Sequence, residues 1–226
     1  MSHLKRQKIP KNWPIPRKGT KYIVRPRFAV KQGIPLLILL RDILKIAQNR
    51  KEVKIAIHNK NILVNGNPAK DERAGIQLFD KITIVPSNTC YQLILNTHGK
   101  FDVEEVKEKL NEKIAKIINK KILKGKKVQL NLSDGRNYLS DLKCKVNDSV
   151  IVDFKKKKIL KCLPLKENSK AIIISGKHSG KKGVIKGINN ELKMAEIETD
   201  DKKINVLIKQ IMVVEWIEKN GQREYK

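Results

Sequence analysis

The sequence predicts a multi-domain α+β chain that is mostly β, with a basic N-terminal arm ahead of its folded parts. Three observations carry that expectation. Helical periodicity opens the folded part over residues 35–58, period-two runs bounded by turn pairs fill most of the chain beyond residue 58, and no acid occurs before Asp42. Eleven Lys or Arg residues and five prolines precede that aspartate, a composition too polar to bury a core alone but suited to lie along a charged partner. Residues 1–34 are therefore expected as an extended arm, with Trp13, Tyr22, Ile23, Val24 and Phe28 as apolar anchors.

From Pro35 the pattern changes. Leu36, Leu40, Ile43, Leu44 and Ala47 recur at three- and four-residue intervals, behind a proline that the first turn of a helix tolerates, so the spacing predicts one amphipathic helix. Asn49 and Glu52 form a cap pattern that opens a second helix over residues 51–58, across a tight turn. Arg41 and Lys45, four apart, are expected on one helical face, with Arg50, Lys51 and Lys54 close behind. The run Ile62-Leu63-Val64, the pair Asn65-Gly66 and the run Lys81–Val85 predict strands joined by a hairpin turn. This small α/β module is assigned to residues 35–90.

Residues 91–168 are expected to be a β-rich central domain. Asp102 with Glu105 resembles another helix start, which periodicity would carry to Ile118, while the β-branched residues beyond argue for an earlier break into strand. Further on, short apolar runs alternate with Asp134-Gly135, Asn147-Asp148 and lysine-rich turns, the texture of a barrel or sandwich. The same texture spans residues 169–218, and residues 219–226 read as a polar tail.

Charge narrows the function. Fifty Lys and Arg against 23 Asp and Glu give a net charge of +27, a field that attracts polyanions, with nucleic acid foremost. A membrane is disfavoured, because no apolar run approaches the roughly 18–20 residues a spanning helix needs. The basic N-terminus lacks the apolar stretch of about 7–15 residues that a secretory signal carries, so an intracellular protein is expected. Cys90, Cys144 and Cys162 are odd in number and widely spaced, and His3, His58, His98 and His178 are scattered, so neither disulfides nor a metal site is expected. Aromatic residues make up only 4%, which argues against base stacking as the main binding mode.

The stretch Ser175–Gly187 decides between nucleotide chemistry and nucleic-acid binding. A nucleotide-cradling loop needs four residues between its glycines and then Lys-Ser or Lys-Thr. Here three residues separate Gly176 from Gly180, Lys181 is followed by Lys182, and strands flank the loop on both sides. The alternative is a glycine-turned β-loop: Gly176, Gly180 and Gly183 permit positive φ and close approach, while Lys177, His178, Lys181 and Lys182 offer donors to phosphates. Carboxylates fall in caps and surface turns, Asp134 included, so no catalytic residues, small-molecule substrate or cofactor are expected.

The pieces resemble, in order, the archaeal and eukaryotic small-subunit ribosomal protein S4e family. "HLKRQKIPKNW", with His3, Lys5, Arg6, Lys11 and Trp13, is similar to that family's N-terminal signature, and "RPR", with Arg25 and Arg27, to its Arg-Pro segment. "GIPLLILLRDILKIA", "ILVNGNPAKDERAGIQLFDKITI", "KVNDSVIVD" and "SGKHSGKKGVI" come next in the family's order, the last resembling its KOW motif. The resemblance implies an arm, an alpha-L RNA-binding module, a family-specific central β domain and an SH3-like barrel with the KOW loop. It also implies a structural component of the small subunit that binds ribosomal RNA beside neighbouring ribosomal proteins, located in cytoplasmic ribosomes, not homo-oligomeric and without enzymatic activity. RNA contact then falls to the named arm residues, to Arg41, Lys45, Arg50, Lys51 and Lys54, and to the loop from Gly176 to Gly183. The rival readings are an RNA-modifying enzyme, a ribosome assembly factor or KOW-type transcription factor, and a DNA architectural protein.

Overall fold

The computed structural model describes residues 3–106, 112–140, 142–199, 202–219 and 222–225, and is β-rich with few helices. Two compact units divide it, one of residues 1–96 and 100–111, the other of residues 97–99 and 112–226.

In the first unit, the basic segment expected as an extended arm folds back instead. Leu4–Lys5 pairs antiparallel with Tyr22–Ile23, and the Arg6 guanidinium closes the loop between them by donating to Thr20 O, Thr20 Oγ1 and Pro16 O. Ile9 and Trp13 are buried, and the Trp13 indole N–H donates to Gly33 O at 3.0 Å. The apolar anchors pack this segment against its own module, so it does not wait for a partner to gain structure. Phe28 is one of them: its ring occupies the space over Gly75, where a Cβ would lie 1.3 Å from a ring carbon.

The helix expected from Pro35 forms but is short. Leu36–Ile38 is α-helical, Leu39–Ile43 winds more loosely as a π-helix, and Lys45, with φ 55°, ends it. All five residues Leu36–Leu40 are buried, so the segment is held by core packing on every side rather than by one amphipathic stripe. The second helix, Arg50–His58, opens as its cap pattern predicts: Asn49 Oδ1 accepts from Glu52 N at 3.0 Å, and Glu52 Oε2 accepts from Gln48 N at 2.7 Å.

A five-stranded antiparallel sheet comes next, in the order Asn67–Pro68, Ile62–Val64, Lys81–Ile84, Thr89–Leu95, Phe101–Glu105. Asn65 (φ 51°) and Gly66 (φ 77°) make the predicted two-residue turn. Asn65 is itself buried, donating to Asp80 Oδ1 and accepting from Lys81 N. The helix start expected at Asp102 is wrong: Phe101–Glu105 is a strand registered with Thr89–Leu95, and Asp102 Oδ1 accepts from the next residue's N–H. Phe101 buried opposite Leu95 decides the conformation, because pairing outweighs a local cap signal. The rest of that expected helix, residues 107–111, lies outside the described residues.

The second unit holds two five-stranded antiparallel sheets. The central sheet runs Asn137–Leu139, Val128–Leu132, Glu112–Ile122, Ser149–Asp153, Lys158–Leu163, around a core that includes Ile117, Leu130, Cys144, Val150 and Val152. The strand from Glu112 agrees with the early break that β-branched enrichment predicts. The C-terminal sheet runs Lys203–Leu207, Met194–Glu198, Lys182–Asn189, Lys170–Ile173, Ile211–Val213. The stretch expected as a polar tail is partly paired, because Gln222–Tyr225 forms a hairpin with Trp216–Lys219.

Candidate nucleic-acid interface

The glycine loop crosses from Lys170–Ile173 to Lys182–Asn189 at one end of the C-terminal sheet. Gly180 N donates to Ile173 O at 2.8 Å, Ile173 N to Lys181 O at 3.0 Å, and Ser179 Oγ to Ile174 O at 2.9 Å, so the loop is cross-braced at its neck. Gly176 (φ 97°) and Gly180 (φ 89°) hold the left-handed turns that the sequence predicts. Gly183 does not. It lies inside the strand paired with Ala171, and it is glycine for lack of room: a Cβ there would stand 2.4 Å from Glu198 O.

Sequence reasoning missed what holds the loop. Ile174 N donates to Gln210 O at 2.7 Å, and the Gln210 side chain fills the space beside Gly176, where a Cβ would lie 2.8 Å from Oε1. Gly99 (φ 71°) is matched to Ser179, with room for no Cβ between them. Neither residue carries a motif, and only their chain-distant packing shows their part. With its backbone so fixed, the loop exposes Lys177 and leaves His178 and Lys181 half-buried; Lys182, also half-buried, belongs to the strand.

In the first unit the predicted cations separate into two groups. Arg27 Nε lies 2.8 Å from Asp71 Oδ2. Arg41 chelates its neighbour Asp42, with Nε to Oδ1 at 3.2 Å and NH2 to Oδ2 at 2.9 Å. Arg50 donates to Glu72 Oε1 from Nε at 2.8 Å and also from NH2, and Lys54 Nζ stands 4.0 Å from Glu72 Oε2. Glu72 is only 3% exposed, so its carboxylate fixes the second helix to the segment before Gly75. That ion pair also holds the Arg50 pKa above its ordinary value, chiefly through the hydrogen bond to Glu72. The shared face expected for Arg41 and Lys45 is absent, because a π-helical turn and the left-handed Lys45 intervene.

The other group is exposed and, among the described residues, outside any ion pair: His3, whose ring lies 5.6 Å from Tyr22, with Lys5, Lys11, Lys45 and Lys51. Arg25 is half-buried. Trp13, expected at the interface, is 2% exposed and spends its one donor internally, so it is a core residue. No group of three His, Cys, Asp or Glu among the described residues is placed to hold a metal, and no described helix is long and apolar enough to cross a membrane.

Residues 87–159 match the model of Ribosomal family S4e, and residues 2–28 match that of the RS4NT (NUC023) domain. The chain is 38% identical over 190 residues to small ribosomal subunit protein eS4 of Methanocella arvoryzae, covering 83% of this chain and 81% of that one. It is equally identical over 191 residues to the eS4 protein of Nanoarchaeum equitans, covering 82% of each. The crystal structure of the 30S ribosomal protein S4e from Thermoplasma acidophilum superposes with a TM-score of 0.70 at 23% identity, over 81% of this chain and 95% of that one, a likeness of fold.

Proposed function

Since the chain belongs to ribosomal family S4e, we propose that it is a structural constituent of the small ribosomal subunit that binds ribosomal RNA, supports translation and catalyses no reaction. The observation that carries RNA binding is the distribution of charge. In a chain of net charge +27, Lys5, Lys11, Lys45, Lys51 and Lys177 stand exposed, whereas acids such as Glu72 and Asp80 are buried in internal contacts. Exposed cations without internal counterions are free to neutralise phosphates and release the ions condensed on them.

Within that reading, residues 35–90 act as an alpha-L RNA-binding module, with Lys45 and Lys51 as its phosphate donors. Residues 169–218 act as an SH3-like KOW domain whose loop presents Lys177, His178 and Lys181 to the RNA backbone. Recognition rests on RNA shape and 2′-hydroxyls rather than on a base code. Its neighbours are other ribosomal proteins, its place the cytoplasmic ribosome, and it works as a single copy.

Sedimentation of lysate through a sucrose gradient at moderate salt, with the protein quantified in each fraction, tests the assignment. A constant ratio to other small-subunit proteins is expected. Confinement to precursor particles would favour an assembly factor, and a position near the top of the gradient would favour a free RNA-binding factor.

A further inference from the structure

We infer that the hairpin Ile118–Val128 of the central sheet is a further RNA-binding element, a lysine-tipped ribbon that docks on the phosphate backbone of small-subunit ribosomal RNA. The inference rests on the ribosomal reading above and adds a site which the sequence motifs leave out.

The strand Glu112–Ile122 is two strands in one. From Lys113 to Ile117 every residue is buried, on both faces; from Ile118 to Ile122 every residue is exposed, again on both faces. The change falls where the register with Val128–Leu132 shifts, between Ile117 and Asn119. Pairing with Ser149–Asp153 also stops there, its last partners being Lys116 and Ser149, so the outer half is bonded along one edge only. The half-strand Ile118–Ile122 therefore stands clear of the core on two faces and one edge, while Val128, at the hairpin's other foot, packs against the core.

Its composition is one-sided. Between Ile117 and Ser133 there are five lysines and no acid. Lys120 Nζ reaches Cys144 O at 3.3 Å, but Lys121, Lys124 and Lys127 are exposed and have no carboxylate partner among the described residues. Lysines on an open strand edge also discourage edge-to-edge aggregation. That role explains Lys120 and Lys121. It does not explain Lys124 and Lys127 beyond the strand, nor Ile118 and Ile122, which are 54% and 72% exposed where protection would favour polar groups. Cations flanking exposed aliphatic groups, on a ribbon narrow enough to lie in or beside a groove, fit a nucleic acid: ammonium groups take the phosphates and the isoleucines pack on sugar or base faces.

The test uses the full-length protein and small-subunit ribosomal RNA, with affinity measured across a salt series for wild type, K121Q/K124Q/K127Q, I122S and K177Q/K181Q. Loss of three phosphate contacts should lower the slope of log affinity against log salt by about 2 for the finger triple variant. I122S should weaken binding roughly fivefold at an unchanged slope. Circular dichroism should show an unaltered fold, since every substituted finger side chain is exposed. An unchanged slope in the triple variant, with K177Q/K181Q still reducing it, overturns the finger and leaves the ribosomal reading intact. An unchanged slope combined with loss of the triple variant from assembled subunits also overturns it, in favour of an acidic protein neighbour. A flat salt dependence in the wild type would overturn the finger and the RNA-binding reading together.

Discussion

Replacing Lys116 by methionine should change the stability of the second unit in a way that depends on pH. Lys116 lies in the buried half of Glu112–Ile122, 5% exposed, and its Nζ donates to Ile208 O at 2.5 Å and Ile211 O at 2.6 Å. It thereby ties the central sheet to the turn that carries Gln210. Burial lowers its pKa from 10.5 to about 8, which amounts to about 3 kcal/mol against the charged form. Because the folded pKa lies below the unfolded one, the unfolded chain binds more protons between pH 8 and 10.5. Stability therefore rises with pH across that window, and below pH 8 the full penalty is present. A neutral amine still has two N–H groups for two carbonyls, so deprotonation removes the penalty and keeps the contacts. Methionine removes both the penalty and the donors; Ile208 O keeps the Ile211 N–H as a partner, while Ile211 O loses its Lys116 bond at a cost of about 1–3 kcal/mol. Urea denaturation of both proteins at pH 7 and pH 10 separates these effects, since the difference between them cancels the titration of the other lysines. The advantage of wild type over K116M should grow by about 2–3 kcal/mol from pH 7 to pH 10. A constant gap would refute the reasoning, and would mean that the two carbonyls hold the ammonium as strongly as burial disfavours it.

Two more substitutions probe the architecture of the proposed interface. G183A forces a Cβ to within 2.4 Å of Glu198 O and should cost about 2–3 kcal/mol in thermal or chemical denaturation, whereas at Gly187 the nearest atom is 3.9 Å away and alanine should change stability by less than about 0.5 kcal/mol. R50A strips the buried Glu72 carboxylate of its main partner and should cost about 1–3 kcal/mol; in a double-variant cycle R50A/E72Q should be more stable than R50A alone.

How far the sequence reaches can be seen element by element. Signals written into adjacent residues survive: the Asn49–Glu52 cap, the Asn65-Gly66 turn and the positive φ of Gly176 and Gly180 all appear where local chemistry puts them. Signals that compete with a distant partner do not. Asp102 and Glu105 resemble a helix start, yet Phe101 opposite Leu95 makes the segment a strand. The basic N-terminal stretch has the composition of a free arm, yet Ile9, Trp13 and Phe28 find cavities in the module behind it. Gln210 was illegible for the same reason, since nothing local marks a glutamine that supports a loop more than 30 residues upstream.

The candidate interface shows a subtler limit, because residue type there predicts role better than position does. Arg6, Arg27, Arg41 and Arg50 were all expected at the RNA, and all four have partners within the chain, backbone carbonyls and a threonine hydroxyl or Asp71, Asp42 and Glu72, although the Arg27 and Arg50 side chains stay exposed. Lys5, Lys11, Lys45 and Lys51 stay exposed. The planar guanidinium fork donates in fixed directions and loses less freedom per bond formed, so within a fold it is the better cross-link; an ammonium on a flexible stem is strongly hydrated and stays in solvent until a phosphate displaces the water. A count of basic residues in a stretch therefore overstates the charge offered to RNA. In the first unit Arg6, Arg27, Arg41 and Arg50 are held in contacts within the fold, and Lys5, Lys11, Lys45 and Lys51 are left exposed among them.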